Sequence, residues 1–140
     1  MHGAGGHTVG VTHCSLMEDR MYNFNGTGEA DPSMDPAYLW VLKKYACPKG
    51  QPFDNIVSLD DPKSILTFDK SYYNMISKHR GALGVDQGLA IDPSTASTVE
   101  MFATTENFFP MFIQTINKLA AVGVLTGTDG EIRTKCRATN

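Results

Sequence analysis

At two of the four places in this chain where an aspartate stands directly before a proline, apolar residues follow at helical spacing. Asp35-Pro36 precedes Leu39, Val41 and Leu42, and Asp92-Pro93 precedes Ala96, Val99, Phe102 and Ala103. The carboxylate accepts from the free amides of a first helical turn, and proline is tolerated there because it has no amide to leave unpaired. The first of these segments stops by Cys47-Pro48. Asp69 opens another, with Tyr72, Met75 and Ile76 on one face and an end near Gly81. A last one runs through Phe109, Phe112, Ile113, Ile116 and Ala120 to Gly123, with Pro110 in an early turn. No stretch sustains the alternation of a strand. The pattern therefore predicts an all-α chain with a minor β hairpin at most. Its long irregular segments, Asn23 to Ser33 and Pro48 to Ser64, are of a length that in compact domains is functional or tied down by ligands and disulfides.

At 140 residues the chain is one domain or part of one. A chain of this size buries roughly two-thirds of its unfolded surface when it folds alone. Its 12 Lys and Arg against 15 Asp and Glu leave a net charge of -3, and no basic run exceeds Lys43-Lys44. Neither a nucleic acid nor an acidic membrane surface is an expected partner. No apolar stretch approaches a membrane span, and Met1 to Gly6 lack the basic start and apolar centre of a secretory signal. Asn25-Gly26-Thr27, in a turn-like segment, is a glycosylation acceptor triplet, relevant only to a secreted protein.

Three cysteines, Cys14, Cys47 and Cys136, permit at most one internal disulfide; all three as reduced thiols is the other option. Among the histidines, His7 is the most informative, in the run Gly5-Gly6-His7-Thr8-Val9-Gly10. A phosphate-cradling loop fails on context, since no apolar strand precedes it and no Lys-Ser/Thr pair closes it. A zinc site from His7, His13, Cys14 and Cys47 lacks tight ligand spacing. His7 packed among glycines at a helix start is the bland alternative. An imidazole from a short helix also suits a haem iron, with a nearby cysteine to tether that helix.

An ordered series of blocks favours the last reading. Gly5-Gly6-His7-Thr8-Val9-Gly10 with Cys14, then Asp19-Arg20-Met21-Tyr22-Asn23-Phe24 and Asp31-Pro32, resembles the proximal-histidine region of the secretory plant haem peroxidases, class III. The resemblance continues through Asp61-Pro62, Thr67-Phe68-Asp69 with Tyr72-Tyr73, Gly84-Val85-Asp86-Gln87 and Phe108-Phe109. It ends with Val124-Leu125-Thr126-Gly127, Gly130-Glu131-Ile132-Arg133 and Cys136-Arg137. Residues 1–140 are accordingly identified as the C-terminal, proximal helical half of a plant-type haem peroxidase domain, with long ordered loops.

That resemblance implies haem b with His7 as axial iron ligand. Asp86 would be the carboxylate on the other ring nitrogen, which fixes the tautomer and makes the ring a stronger donor. It implies calcium held by Thr8, Asp61, Ser64, Thr67 and Asp69; hard cations take six to eight oxygens, and one loop can supply most of them. Read without the family, that segment is an ordinary acidic loop. The resemblance also pairs Cys14 with Cys47 and leaves Cys136 unpaired, its family partner lying in the first half of the domain. The distal histidine and arginine that work on peroxide belong to that half, and no Arg-x-x-Phe-His block occurs here; His2, His13 and His79 are not in a context to substitute.

The implied activity is hydrogen-peroxide-dependent oxidation of small phenolic donors, with peroxide removal and oxidative-stress response, in an extracellular or vacuolar setting. An isolated proximal half is expected to be weakly active or inactive. Its possible partner is the missing N-terminal half. The rival expectation is a non-catalytic calcium-binding or interaction fragment.

Overall fold

Asp35 caps its helix as its place before Pro36 predicts: its carboxylate accepts the Tyr38 amide at 2.9 Å. In the computed structural model, which describes residues 6–138, the chain order is β1 (Val11–His13), a 3-10 turn (Cys14–Leu16) and α1 (Glu18–Tyr22). A second 3-10 turn (Phe24–Gly26) leads to α2 (Pro36–Val41), which runs into a π-helical turn (Leu42–Ala46). Then come β2 (Ile56–Ser58), α3 (Ser71–Ser77), α4 (Gly84–Ile91), α5 (Ala96–Thr104) and α6 (Phe108–Ala120). The fold is thus mostly helical. Its β content is one antiparallel pair, β1 with β2 in the register Val11 to Ser58 and His13 to Ile56. These strands lie far apart in sequence, so the pair is not a hairpin, and β2 falls inside a segment the sequence reads as irregular.

Two helix boundaries and one whole helix depart from the sequence pattern. Asp69 does open its helix, accepting the Ser71 amide at 2.7 Å. The helix ends at Ser77 rather than near Gly81 because His79 turns left-handed (φ 60°), and the Arg80 amide folds back onto the Met75 carbonyl. Gly81 serves a different need: a Cβ there would lie 3.1 Å from the Gln87 amide nitrogen and from Ile76 Cγ2, so any larger residue would have to push these neighbours back by a few tenths of an ångström. Asp92 uses its carboxylate on the Ser94 amide and hydroxyl, at 2.8 and 2.6 Å, so residues 93–95 form a turn and α5 starts at Ala96. The third departure is α4, a helix that periodicity alone does not announce.

By internal contacts, residues 6–108 make one unit and residues 109–138 another. In the first, Met17, Met21, Met34, Leu42, Val57, Leu59 and Ala82 pack around the Cys14–Cys47 disulfide, whose Cα atoms are 5.5 Å apart. Flexible methionines suit a core built around so irregular a feature as a disulfide between turns. Closing a loop across 33 residues contributes about 3–4 kcal/mol in the chain-entropy picture. The π-helical turn delivers Cys47 to this bond, its amide donating to the Leu42 carbonyl five residues back at 2.7 Å. A second, aromatic cluster joins α3 to α5: Tyr73 stacks on Phe102 at 4.8 Å, and Phe108 packs edge-on to both, next to Phe68. In the second unit α6 continues through Phe112, Ile113 and Ile116. Turns with left-handed Gly123 and Gly127 follow, and Cys136 is exposed and outside the disulfide.

Arg20 of α1 is buried and uses most of its donors. Nε donates to Asp31 Oδ2 at 2.8 Å, Nη2 lies 2.8 Å from the same oxygen as an ion-pair contact without a hydrogen bond of its own, and Nη1 donates to the carbonyls of Gly81 and Ala82 at 2.8 and 2.7 Å. Burial alone would raise the Asp31 carboxyl; hydrogen bonds from Ser33 and then Arg20 outweigh it and hold the group below its ordinary range. An acid with a depressed folded pKa stabilises the fold above its unfolded value, near 3.8, and that stabilisation is lost as pH falls through the folded value. Removing one partner of a buried pair strands the other charge, at a cost of about 3–5 kcal/mol. In chemical denaturation at neutral pH, Arg20→Ala is expected to lose stability on that scale. Asp31→Asn is expected to flatten the acid limb of the stability curve below pH 3.8; an unchanged acid limb would show that Asp31 does not carry it.

Candidate functional site

His7 and Thr8 lie in a turn ahead of β1; residues 1–5, where the rest of the expected short helix falls, are outside the described residues. The His7 ring is one-third exposed. Its Nδ1 lies 3.0 Å from Asp86 Oδ1 and 3.2 Å from Oδ2, across 79 residues of sequence. A carboxylate only accepts, so Nδ1 carries the proton, and in the neutral ring that leaves the lone pair on Nε2.

Asp86 is fully buried in the first turn of α4, where the helix dipole favours a negative charge. Burial raises its pKa; the His7 charge and hydrogen bond, then a hydrogen bond from Tyr72, then Arg20 pull the other way. The Tyr72 hydroxyl thus donates to the same carboxylate. Tyr72 is itself fully buried in α3, and its pKa is pushed up by burial first and by the Asp86 charge second, so it stays a donor. Its ring meets His7 edge-on at 6.3 Å. The sequence reading used Tyr72 as an apolar helix position and as part of a family block, with no role for its hydroxyl. The available signal was the phenol itself, since a buried tyrosine normally finds a partner for its hydroxyl.

Gln87, next to Asp86, is the other residue the pattern missed. Its carboxamide accepts the Gly81 amide and donates to the Ile76 carbonyl, both at 3.0 Å, locking the end of α3 to the start of α4.

The oxygen-rich residues fall into two groups. The buried Thr8 hydroxyl donates to the Asp69 carbonyl, which joins the histidine turn to the start of α3. Asp61 and Ser64 share a turn: the Ser64 amide donates to the Asp61 carbonyl at 2.9 Å, and the Ser64 hydroxyl lies 3.0 Å from Ser71 Oγ. Thr67 is exposed, its amide on the Ser64 carbonyl. Asp60 faces inward, fully buried, with Ser58 Oγ at 2.5 Å and Ser71 Oγ at 3.5 Å. The donors here are all oxygen, the chemistry a hard cation takes. Among the described residues no three His, Cys, Asp or Glu side chains gather as a metal cluster.

The zinc alternative fails because both of its thiols are consumed by the Cys14–Cys47 bond. His13 sits by Asp54, with Nδ1 3.3 Å from its carbonyl, and His79 bonds the Ser33 carbonyl at 3.0 Å; neither approaches the His7 pair through these contacts. His2 is outside the described residues. Asn25 is exposed with φ 53°. A cavity of about 380 Å3 opens beside the disulfide, between Tyr22, Pro48, Phe53 and Asp54, and includes neither His7 nor Asp86. No helix among the described residues is long and apolar enough to cross a membrane.

In imidazole nitrogen NMR, His7 is expected to show a protonated Nδ1 and a bare Nε2. Asp86→Ala should convert this to the tautomer mixture of a free ring, whereas a spectrum indifferent to the substitution would mean that the carboxylate does not set the tautomer.

The peroxidase family pattern matches residues 4–105. Peroxidase 60 of Arabidopsis thaliana is 46% identical over 137 residues, covering 96% of this chain and 41% of its own length. Peroxidase 39 and Peroxidase 3 of the same plant are 40% and 38% identical, each covering 98% of this chain and 42% of its own length. The chain therefore spans about two-fifths of the length of the curated relatives it matches.

Proposed function

The chain belongs to the peroxidase family, an enzyme family, and on that premise we propose that it is the part of a haem peroxidase that holds haem b from the proximal side. The observation that carries this is the pair of His7 with the fully buried Asp86 at 3.0 Å, which leaves Nε2 as a free donor on a one-third exposed ring. Haem, when bound, supplies an iron that hydrogen peroxide oxidises and that small phenolic donors return to rest. His7 would hold the haem iron through Nε2. Asp86 orients the ring and holds the Nδ1 proton, raising the electron donation of the imidazole. Tyr72 donates to the same carboxylate and opposes the upward push of burial, which still leaves the Asp86 carboxyl above its ordinary range. Peroxide turnover falls to acid-base groups outside these 140 residues, since positioned proton transfer is worth roughly a hundredfold to ten-thousandfold.

Calcium belongs to the same proposal, taken by oxygens of Thr8, Asp61, Ser64, Thr67 and Asp69. What supports it is the all-oxygen donor set and the Thr8 to Asp69 contact, which links the residue after the ligand histidine to the loop. The disulfide supports an oxidising compartment, extracellular or vacuolar. The partners in this reading are hydrogen peroxide, a small phenolic donor and an N-terminal half bearing the distal residues.

Protein refolded with haem and calcium is expected to give the Soret band of a histidine-ligated ferric haem, largely lost in His7→Ala. Asp86→Asn should retain haem and raise the iron potential, the ring being a weaker donor. A spectrum equal in His7→Ala would overturn the axial role. Peroxide-dependent oxidation of guaiacol should be negligible for the chain alone and restored by co-refolding with a family N-terminal half; robust turnover by the isolated chain would place the acid-base groups within it. Chelation of calcium should lower the melting temperature of the wild-type chain and leave Asp69→Asn unmoved, and equal responses would remove Asp69 from the site.

A further inference from the structure

Asp60 lies outside the blocks that carry the family resemblance, and no step of the functional reading uses it. It is nonetheless fully buried, two residues past the end of β2. Among the described residues no lysine, arginine or histidine forms an ion pair with it; its partners are two serine hydroxyls. Ser58 Oγ donates to Oδ1 at 2.5 Å and accepts the Asp60 amide at 3.3 Å, so that hydroxyl is committed within its own turn. Ser71 Oγ, from the first residue of α3, approaches Oδ2 at 3.5 Å. A buried charge so lightly compensated costs stability that an apolar side chain would not.

The chemistry of these groups fixes the direction of each proton. A carboxylate has none to give, so both hydroxyls donate to it. Ser71 has a single hydroxyl proton, and a charged acceptor holds it more strongly than a neutral one. The lone pairs of Ser71 are thereby left for Ser64 Oγ, which donates to it at 3.0 Å. The other acceptor for the Ser64 hydroxyl is the Asp61 carbonyl, at the weaker distance of 3.5 Å. The backbone of Ser64 is committed separately, its amide to the Asp61 carbonyl at 2.9 Å and its carbonyl to the Thr67 amide at 2.6 Å. The chain from Ser64 through Ser71 to Asp60 therefore runs one way, from the loop toward the core, and ends on a group that cannot reverse it.

We propose that Asp60 and Ser71 are positioning residues for the cation of the loop: by drawing the Ser64 proton inward, they present the lone pairs of its hydroxyl to calcium. A hydroxyl ligates a cation with its proton turned away, and here the turn is made before the cation arrives. The buried charge acts in the same sense, because a divalent cation held at Ser64 supplies the opposite charge that Asp60 lacks among the described residues. The proposal rests on the calcium reading of Thr8, Asp61, Ser64, Thr67 and Asp69, and it adds two residues that ligate nothing themselves.

For the test, the 140-residue chain is refolded, stripped of divalent ions and titrated with calcium by calorimetry in the absence of haem. Ser71→Ala keeps the Asp60 charge and removes the middle link. It is expected to weaken calcium binding about 10–100-fold, the usual loss when the partner of a metal ligand is removed. Ser71→Thr keeps the hydroxyl and should restore the affinity. Asp60→Asn removes both the charge and the fixed direction, and should lose at least as much as Ser71→Ala. Adding Ser71→Ala to Asp60→Asn should cost nothing further, since both act through one chain. Melting temperatures of the calcium-free variants are measured alongside, because a merely structural role would lower these and leave the affinity of the folded chain unmoved. No calcium uptake by the wild-type chain would overturn the calcium reading and this proposal together. Uptake by wild type with Ser71→Ala unchanged, or with the losses of the two variants simply adding, would overturn this proposal alone.

Discussion

A single guanidinium sets the frame for everything around the histidine. Arg20 carries donors in a fixed planar fork, and a lysine has no equivalent. One edge meets Asp31 in the loop after α1, and the other meets the carbonyls of Gly81 and Ala82, two residues before α4 begins. Those carbonyls belong to a segment with no helical partner for them, so without Arg20 they would be buried and unsatisfied. The ion therefore does two tasks at once: it neutralises Asp31, and it fixes where the chain enters α4. The position of Asp86, in the first turn of that helix, follows from the entry point.

A fully buried carboxylate is expensive, and Asp86 shows how the fold offsets the cost. Burial alone pushes the group toward its neutral form. Against it stand the imidazole of His7, the hydroxyl of Tyr72, the more distant positive charge of Arg20 and the amino end of α4. Each is supplied by a different element. Such an arrangement is poor evidence of stability, because apolar residues of similar volume would fill the space without the desolvation penalty. It is good evidence of a demand on the ring, since it holds one nitrogen of His7 protonated and leaves the other free.

How much of this was legible in the sequence depended on whether the signal was local. The Asp35 cap, the long α6 with Pro110 at its third position and the mostly helical class follow from spacing and capping chemistry that neighbouring residues carry. The short strands do not: three residues each, they pair across more than forty positions, and nothing near Val11 or Ile56 announces a partner. Helix α4 hid for a related reason. Gly84 and Gly88 weaken its propensity, and its buried face is made of Asp86, Gln87 and Leu89 rather than an apolar stripe. The His7 to Asp86 and Cys14 to Cys47 pairings came from family resemblance, and the structure forms both. The roles of Tyr72, Gln87 and Arg20 escaped because each depends on a backbone or carboxylate group brought close only by the fold.

The turn that carries His7 is held from two sides, and the two restraints are not independent. The His7 ring is tied to α4 through Asp86, and the next residue, Thr8, is tied to the start of α3 through the Asp69 carbonyl. Helices α3 and α4 are themselves coupled: the Gln87 side chain spans from Ile76 to Gly81, and Tyr72 of α3 reaches Asp86 of α4. A shift of either helix would thus strain both anchors of one dipeptide. This couples the loop from Asp61 to Asp69 to the ring through the backbone, because whatever orders Asp69 also orders Thr8. A cation bound to that loop would act on His7 through the backbone of one peptide unit, by removing freedom from the turn rather than by adding charge beside the ring.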